Sequence, residues 1–212
     1  MKKLIQTIKN IFKIEELRTR ILYTLGLLVI YRLGSFIVLP GIDSAQLANL
    51  QSSSSEGLVG LLNMFSGGAF GNASIFALGV MPYISASIVI QLLGIFVPYF
   101  RKLQMEGESG RRKMNQYTRY LTIAIVLIQG LAYMKALPSQ VNAAALAEAG
   151  YGNVFAYEAL GMGSFMFNLV SVALLLGGTM FVMWLGERIT DRGIGNGISL
   201  IIMIGIIARL PH

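Results

Sequence analysis

The stretch that decides the fold is GLLNMFSGGAFGNASIFALGV, residues 60–80, which is apolar but too interrupted for one membrane-spanning helix. It belongs to a run of 44 residues without a formal charge, between Glu56 and Arg101. As a helix, that run would be ~66 Å long, about twice the hydrocarbon core of a bilayer. Glycines between residues 67 and 71 break its first half. The run therefore predicts a short apolar segment followed by a spanning helix.

The composition is that of an integral membrane protein. The chain is 55% hydrophobic and 13% charged, with a mean hydropathy of +0.66, whereas soluble domains are about 25% charged. It has no cysteine, and its single histidine is His212. Disulfides, thiolate metal sites and histidine-based catalytic triads are therefore excluded. We predict neither an enzyme activity nor a metal or cofactor.

Five stretches have the apolarity of spanning helices. They lie at about 21–39, 75–100, 120–137, 164–186 and 197–210. Residues 1–20 place apolar side chains on one face and lysines elsewhere. That pattern predicts a cytosolic amphipathic helix on the membrane surface before the first span.

The net charge of +7 follows this topology. Fourteen of the seventeen Lys and Arg residues fall on one side of the five spans, within residues 1–20, 101–119 and 188–192. Because cytoplasmic loops carry the excess of Lys and Arg, that side and the N-terminus should be cytosolic. Arg32 lies inside the first span. We expect it to snorkel or to form an ion pair in the bundle, and a role in ion transport is the alternative.

The broken segment agrees with this orientation only if it does not cross the membrane. A crossing at residues 57–70 would place the basic cluster of residues 101–119 outside. A segment that enters from the outer side and returns, with glycines at the turn, avoids this. Non-helical backbone at that depth needs protein or a water-filled cavity around it, so the segment implies a cavity open to the outer face. An amphipathic hairpin lying flat outside is the alternative.

Four long motifs resemble the bacterial SecY family, the central subunits of the protein-conducting channel. They are NMFSGGA (63–69), ASIFALGVMPYISASIVIQLL (73–93), EGESGRRK with NQYTRY (106–120) and MFVMWLGERITDRGIGNGIS (180–199). The resemblance implies an all-α integral membrane protein with five transmembrane helices and a re-entrant plug helix at residues 60–74. Residues 21–212 would then be the N-terminal half of a pseudo-two-fold symmetric ten-helix channel.

The resemblance also implies roles for four groups of residues. In the plug, Met64 and Phe65 would press toward the pore constriction, and Gly67 and Gly68 would provide mobility. An apolar pore ring, which excludes ions by dewetting, would consist of Val80, Ile84, Ile198 and Ile202. The lateral gate, through which polypeptide segments reach lipid, would include Ser85, Ser87, Gln91 and Gln129. Cytosolic loops that contact partners would contain Arg111, Arg112, Lys113, Arg188 and Arg192.

The residue types alone leave simpler explanations open. Isoleucines on apolar helices usually face the core or lipid, and polar side chains at membrane depth usually form interhelical hydrogen bonds. Glu187 and Asp191 could be mistaken for a catalytic carboxylate pair. Each has an arginine beside it in sequence, Arg188 and Arg192 respectively, so we expect ion pairs instead.

The function implied is that of a pore-forming subunit of the protein translocation channel in the bacterial cytoplasmic (inner) membrane. It would move unfolded secretory polypeptides across the membrane and release membrane segments laterally into lipid. The implied partners are the C-terminal half of the channel, SecE-type and SecG-type small subunits, a ribosome and/or the SecA ATPase, signal sequences, and the lipid bilayer.

Two other classes of protein are weighed against this one. Half of an inverted-repeat secondary transporter would also contain broken helices. Such transporters usually carry ionisable residues at mid-depth, and only Arg32 is found there. A structural membrane anchor would explain neither the plug nor the ring.

Overall fold

The computed structural model describes residues 14–42, 63–140 and 163–208. Within these ranges the regular elements are helices, which turns connect, and Val38 forms an isolated antiparallel bridge with Ser74. The helices are α1 (Glu15–Gly34), α2 (Met81–Phe96), α3 (Pro98–Met105), α4 (Glu108–Gln140), α5 (Ser164–Arg192) and α6 (Gly197–Ile207). Most of the predicted amphipathic helix, residues 60–62 of the predicted plug and the last two residues of the fifth span lie outside the described residues.

The bounds of α2 differ from the predicted span at 75–100. Residues 75–80 form turns, and α2 begins at Met81 with a proline in its first turn, where the missing N–H of proline causes no loss. The helix ends at Phe96, because Pro98 disfavours helical backbone at the residue before it. The following helix α3 bends away from α2 by 101°.

One helix of the described ranges, α5, is long and apolar enough to cross a membrane by itself, with a mean hydropathy of 2.0 over 18 residues. The pair α2 and α3 meets the same criteria only if the bent pair is counted as one span. Helix α6 has 11 residues, or ~16 Å of rise, about half the hydrocarbon core. The count of five spans therefore stays a prediction.

Helix α5 is the centre of the bundle, since it packs against α1, α4 and α6. Leu175 joins it to a cluster with Val126 and Tyr133 of α4. Leu185 joins it to a second cluster with Ile201 of α6 and residues of α1. These two clusters fix the position of the turn-rich residues 63–80, which are packed between them.

Large apolar side chains cover the outward faces of the bundle. Phe96 is 77% exposed and Phe165 is 78% exposed. A stripe along α1 is likewise exposed and consists of Leu22, Leu25, Val29 and Leu33. Soluble monomers rarely expose contiguous apolar patches of this extent. These faces therefore need lipid or a protein partner around them.

Candidate pore constriction and plug

Residues 63–74, here called the plug segment, form a compact unit inside the bundle. Its described helical part is limited to residues 63–65. Gly67 and Gly68 then turn the chain with φ values of +64° and +94°, which residues with a side chain rarely adopt. The Asn63 oxygens accept from the N–H groups of Gly68 (2.8 Å) and Gly71 (2.9 Å). The two glycines are thus used for a fixed turn, and their predicted role in mobility remains a prediction.

Three side chains of the surrounding helices donate hydrogen bonds to backbone oxygens of the plug segment. The bonds are Arg32 Nη1 to Gly67 (2.6 Å), Tyr133 Oη to Phe70 (2.8 Å) and Tyr31 Oη to Ser66 (3.4 Å). They come from α1 and α4. No carboxylate of the described residues lies within ion-pair distance of Arg32. The expected ion pair in the bundle is therefore not observed among these residues.

The plug segment also lies directly against α6. A Cβ atom at Gly67 would lie 3.0 Å from the Cα atom of Gly205, and one at Gly205 would lie 3.1 Å from the Phe65 oxygen. Both distances are shorter than an ordinary van der Waals contact. Two glycines therefore allow backbone to pack on backbone where the plug segment meets α6.

The four predicted ring residues share one apolar cluster. Val80 is buried in it, and Ile84, Ile198 and Ile202 are half-buried against it. Val80 immediately precedes α2, and its oxygen accepts from the Ile84 N–H at 3.0 Å. Ile198 leans toward α5, since a Cβ at Gly186 would lie 2.3 Å from its Cδ1 atom.

Ile84 separates two cavities of different character. The cavity beside the plug segment has a volume of about 150 Å³ and is lined by Phe65, Val80, Ile84 and Ile202 among others. The cavity on the opposite side, here called the vestibule, has a volume of about 860 Å³ and contains Ile84, Ile88 and Ile198 in its wall. Phe65 is thus beside the ring, whereas Met64 is 37% exposed and is not among the residues lining the small cavity.

The vestibule wall is polar and charged. Its polar and charged residues come largely from the first turns of α4, the last turns of α5 and the start of α6, and α2 adds a face that includes Ile84 and Ser87. Arg119 of α4 holds Glu187 of α5 through two hydrogen bonds of 3.2 Å and 2.5 Å. The predicted pairing of Glu187 with Arg188 is wrong, because neighbouring residues of a helix do not face each other. The Arg188 guanidinium lies 5.4 Å from the centre of the Trp184 ring instead.

The predicted lateral-gate residues divide between two places. Ser87 and Gln91 line the vestibule, where Gln91 donates to the Ser87 hydroxyl at 3.2 Å. Ser85 and Gln129 line a separate groove of about 420 Å³, which the plug residue Phe70 also borders. The four residues therefore do not form one surface in this structure.

The predicted partner-loop residues are exposed, except Arg188, which is half-buried. Arg111 and Arg112 line the vestibule, and Arg112 pairs with Glu108 at 2.7 Å. Lys113 lies 3.8 Å from Glu106. Arg192 is exposed in the last turn of α5.

Sequence reasoning missed Tyr31, Tyr133 and Gly205 as contacts of the plug segment, and Arg119 as a partner of Glu187. A lone glycine in an apolar helix marks close backbone approach, so Gly205 carried a usable signal. Asn196, which accepts from the N–H groups of Ile198 and Ser199 at the start of α6, had the ordinary signature of a helix cap.

The fold is that of the protein-conducting channels. Sec61 in the canine ribosome-channel complex from the endoplasmic reticulum superposes with a TM-score of 0.58 and 18% identity, over 89% of this chain and 36% of that chain. A second solved protein-conducting channel has the same TM-score, identity and coverage. At this level of identity the likeness defines the fold.

The SecY family model matches residues 74–212. The protein translocase subunit SecY of Escherichia coli (strain K12) is 48% identical over 196 residues, which is 92% of this chain and 41% of that protein. The SecY subunit of Buchnera aphidicola subsp. Acyrthosiphon kondoi is 48% identical over 197 residues, 92% of this chain and 51% of that protein. The chain belongs to the SecY family, as the motifs predicted. It spans 41% to 51% of the length of these curated relatives.

Proposed function

We propose that the chain is the N-terminal half of the pore-forming subunit of a protein translocation channel. In this role it moves unfolded secretory polypeptides across the bacterial inner membrane and releases membrane segments laterally into lipid. The observation that carries the proposal is the position of Ile84, between an apolar cavity beside the plug segment and a charged vestibule. The names of the relatives, protein translocase subunit SecY, agree with it.

The chain is proposed to cross the membrane five times with its N-terminus in the cytosol. The exposed apolar faces of α1, α2 and α5 support lipid contact. The vestibule wall includes residues from the ranges 108–119 and 187–199, which contain part of the basic excess that the orientation rule assigns to the cytosol. The vestibule would then open to the cytosol and the plug segment would lie toward the outer side.

The resting channel is proposed to be closed by two barriers in series. Val80, Ile84, Ile198 and Ile202 form an apolar ring that excludes ions by dewetting. The plug segment closes the outer side of the ring, with Phe65 against the small cavity. Neither barrier involves chemistry on a substrate, so the proposed role is not enzymatic, and energy comes from a partner.

The proposed partners follow from the surfaces left open. The C-terminal half of the channel would complete the ring and the second wall of the lateral gate, which Ser85, Ser87, Gln91 and Gln129 would line on this side. SecE-type and SecG-type subunits would cover part of the apolar exterior. A ribosome or the SecA ATPase would contact the loops that carry Arg111, Arg112, Lys113, Arg188 and Arg192. Sec61 was solved in a ribosome-channel complex, which supports the ribosome among these.

The experiment that tests the ring is ion conductance of the full-length channel in planar bilayers without a substrate. Ile84→Asn and Ile198→Asn should raise the resting conductance, because amide side chains hold water where alkyl groups exclude it. Removal of residues 63–72 should raise it further. Ile88→Asn is the control, since Ile88 lines only the vestibule and is 51% exposed.

The outcomes separate the three classes of protein. An anchor would conduct in no variant, and a transporter half would show coupled uptake of a small solute in place of an open leak. If Ile88→Asn leaked while both ring variants stayed closed, the pore axis would lie on another face of α2.

A further inference from the structure

Arg32 occupies an unusual position for a cation. It lies in the last turn of α1, is half-buried, and its guanidinium is 4.9 Å from the centre of the Phe36 ring. Its guanidinium donates a hydrogen bond of 2.6 Å to the Gly67 oxygen. The charge is thus directed at the backbone of the plug segment, and none of the carboxylates in the described ranges lies within ion-pair distance of it.

This contact is at the turn that shapes the plug segment. A Cβ at Gly67 would lie 3.2 Å from Arg32 Nη1, so the guanidinium fills the space beside the glycine. Hydrogen bonds from an ionised donor are roughly twice as strong as neutral ones. The neighbouring bond from Tyr31 is long at 3.4 Å, outside the usual range for a hydroxyl donor. Of the two side-chain hydrogen bonds that α1 donates to residues 66–68, the one from Arg32 is therefore the stronger.

We propose that Arg32 is the positioning residue that latches the plug segment in the resting channel. The inference rests on the proposed function of residues 63–74 as a plug. When the segment leaves, the guanidinium and the Gly67 oxygen lose each other, and each stays without a partner in an apolar surrounding until water reaches it, which is costly. Loss of the arginine should therefore shift the plug segment toward the displaced state without any change in the ring.

The test compares Arg32→Met with Arg20→Met in the full-length channel. Arg20 is on the same helix, but it is half-exposed and pairs with Glu16. Arg32→Met should raise the resting conductance about tenfold or more, because a hydrogen bond from a charged donor is lost. Arg20→Met should leave the conductance at the parental level. A spin label on a single cysteine at Met64 should become more mobile in Arg32→Met alone.

The conductance of the same variants is also measured in a channel that lacks residues 63–72. This comparison shows whether the leak arises through the plug segment or through the pore itself. A latch has nothing to hold there, so Arg32→Met should cause no further increase. An equal increase with and without the segment would overturn the latch, because Arg32 would then act on the pore itself. If the deletion leaks and Arg32→Met stays closed, the latch is wrong and the plug function stands.

Two further outcomes complete the design. If the deletion alone does not leak, the proposed plug function fails, whatever Arg32→Met does. If Arg32→Met does not assemble, Arg32→Gln replaces it, because it removes the charge but stays polar. Its neutral amide donates a weaker hydrogen bond than a charged group, so it should show the same effects at a smaller size, and a fully closed Arg32→Gln channel with an unchanged spin-label spectrum would refute the latch.

Discussion

A single methyl group added at Gly205 should unseat the plug segment. The Cβ of Gly205→Ala would lie 3.1 Å from the Phe65 oxygen, 3.3 Å from the Gly67 nitrogen and 3.5 Å from the Gly67 Cα atom. The first two distances are too short for relaxed contacts. Because all three atoms belong to backbone, no side chain can rotate away, and the plug segment must move by a few tenths of an ångström.

The size of the effect follows from the cost of overpacking. Extra methyl groups in packed sites cost about 1–3 kcal/mol, which corresponds to a roughly 5- to 160-fold shift from the seated to the displaced plug segment. Alanine also favours the helix over glycine by about 1 kcal/mol. That gain acts on α6 in both positions of the plug segment. It therefore cancels in this equilibrium, although it would raise the free energy of global unfolding.

The assay is resting conductance of the full-length channel in planar bilayers, with Gly177→Ala as the matched control. A Cβ at Gly177 in α5 meets no atom within 4 Å, so this control shares the helix propensity gain without the clash. We expect a leak in Gly205→Ala and none in Gly177→Ala. If both channels stay closed, or if both leak equally, the contact between the plug segment and α6 does not govern closure.

Two other measurements test orientation and the vestibule. A cysteine at the exposed Ser109 should react with a membrane-impermeant reagent only from the cytosol, because the orientation rule assigns the basic loop to that side; labelling from outside would contradict the proposed topology. The Arg119–Glu187 pair, with side chains 48% and 21% exposed, should show a coupling of about 0.5–1 kcal/mol in a double-mutant cycle with alanine. The coupling should weaken as salt rises, and a salt-independent value would contradict an ionic origin.

The helical class and the position of α5 could be predicted because they depend on local hydropathy. The predicted span at 164–186 begins at the same residue as α5, which continues to Arg192. The start of α2 could not be predicted in this way. Residues 75–80 are apolar but do not form a helix, since Ile75 donates to the Ile37 oxygen at 2.9 Å and Gly79 has a φ of +53°. Such tertiary bonds leave no trace in hydropathy.

The proposed ring and plug were predicted from motifs, whereas the contacts that hold these residues in place were not. Arg32 and Gly67 are 35 residues apart, and Tyr133 and Phe70 are 63 apart. A tyrosine that donates to a distant backbone oxygen looks the same in sequence as any interfacial tyrosine. Arg32 differed, because a charge inside an apolar span needs a partner. Its partner is a backbone oxygen, which no pairing of charged residues in the sequence could have identified.

The two proposed barriers are built from opposite chemistry, and this suggests an order of opening. The ring is apolar and closes by excluding water, whereas the plug segment is held by hydrogen bonds from Arg32 and Tyr133 to its backbone. Those bonds can be exchanged at small cost only when water replaces them. In the proposed channel, a polypeptide that enters from the vestibule would part the ring first and bring water into the small apolar cavity. Hydration of the ring should therefore precede release of the plug segment, and the polar latch should fail only after the apolar seal has opened.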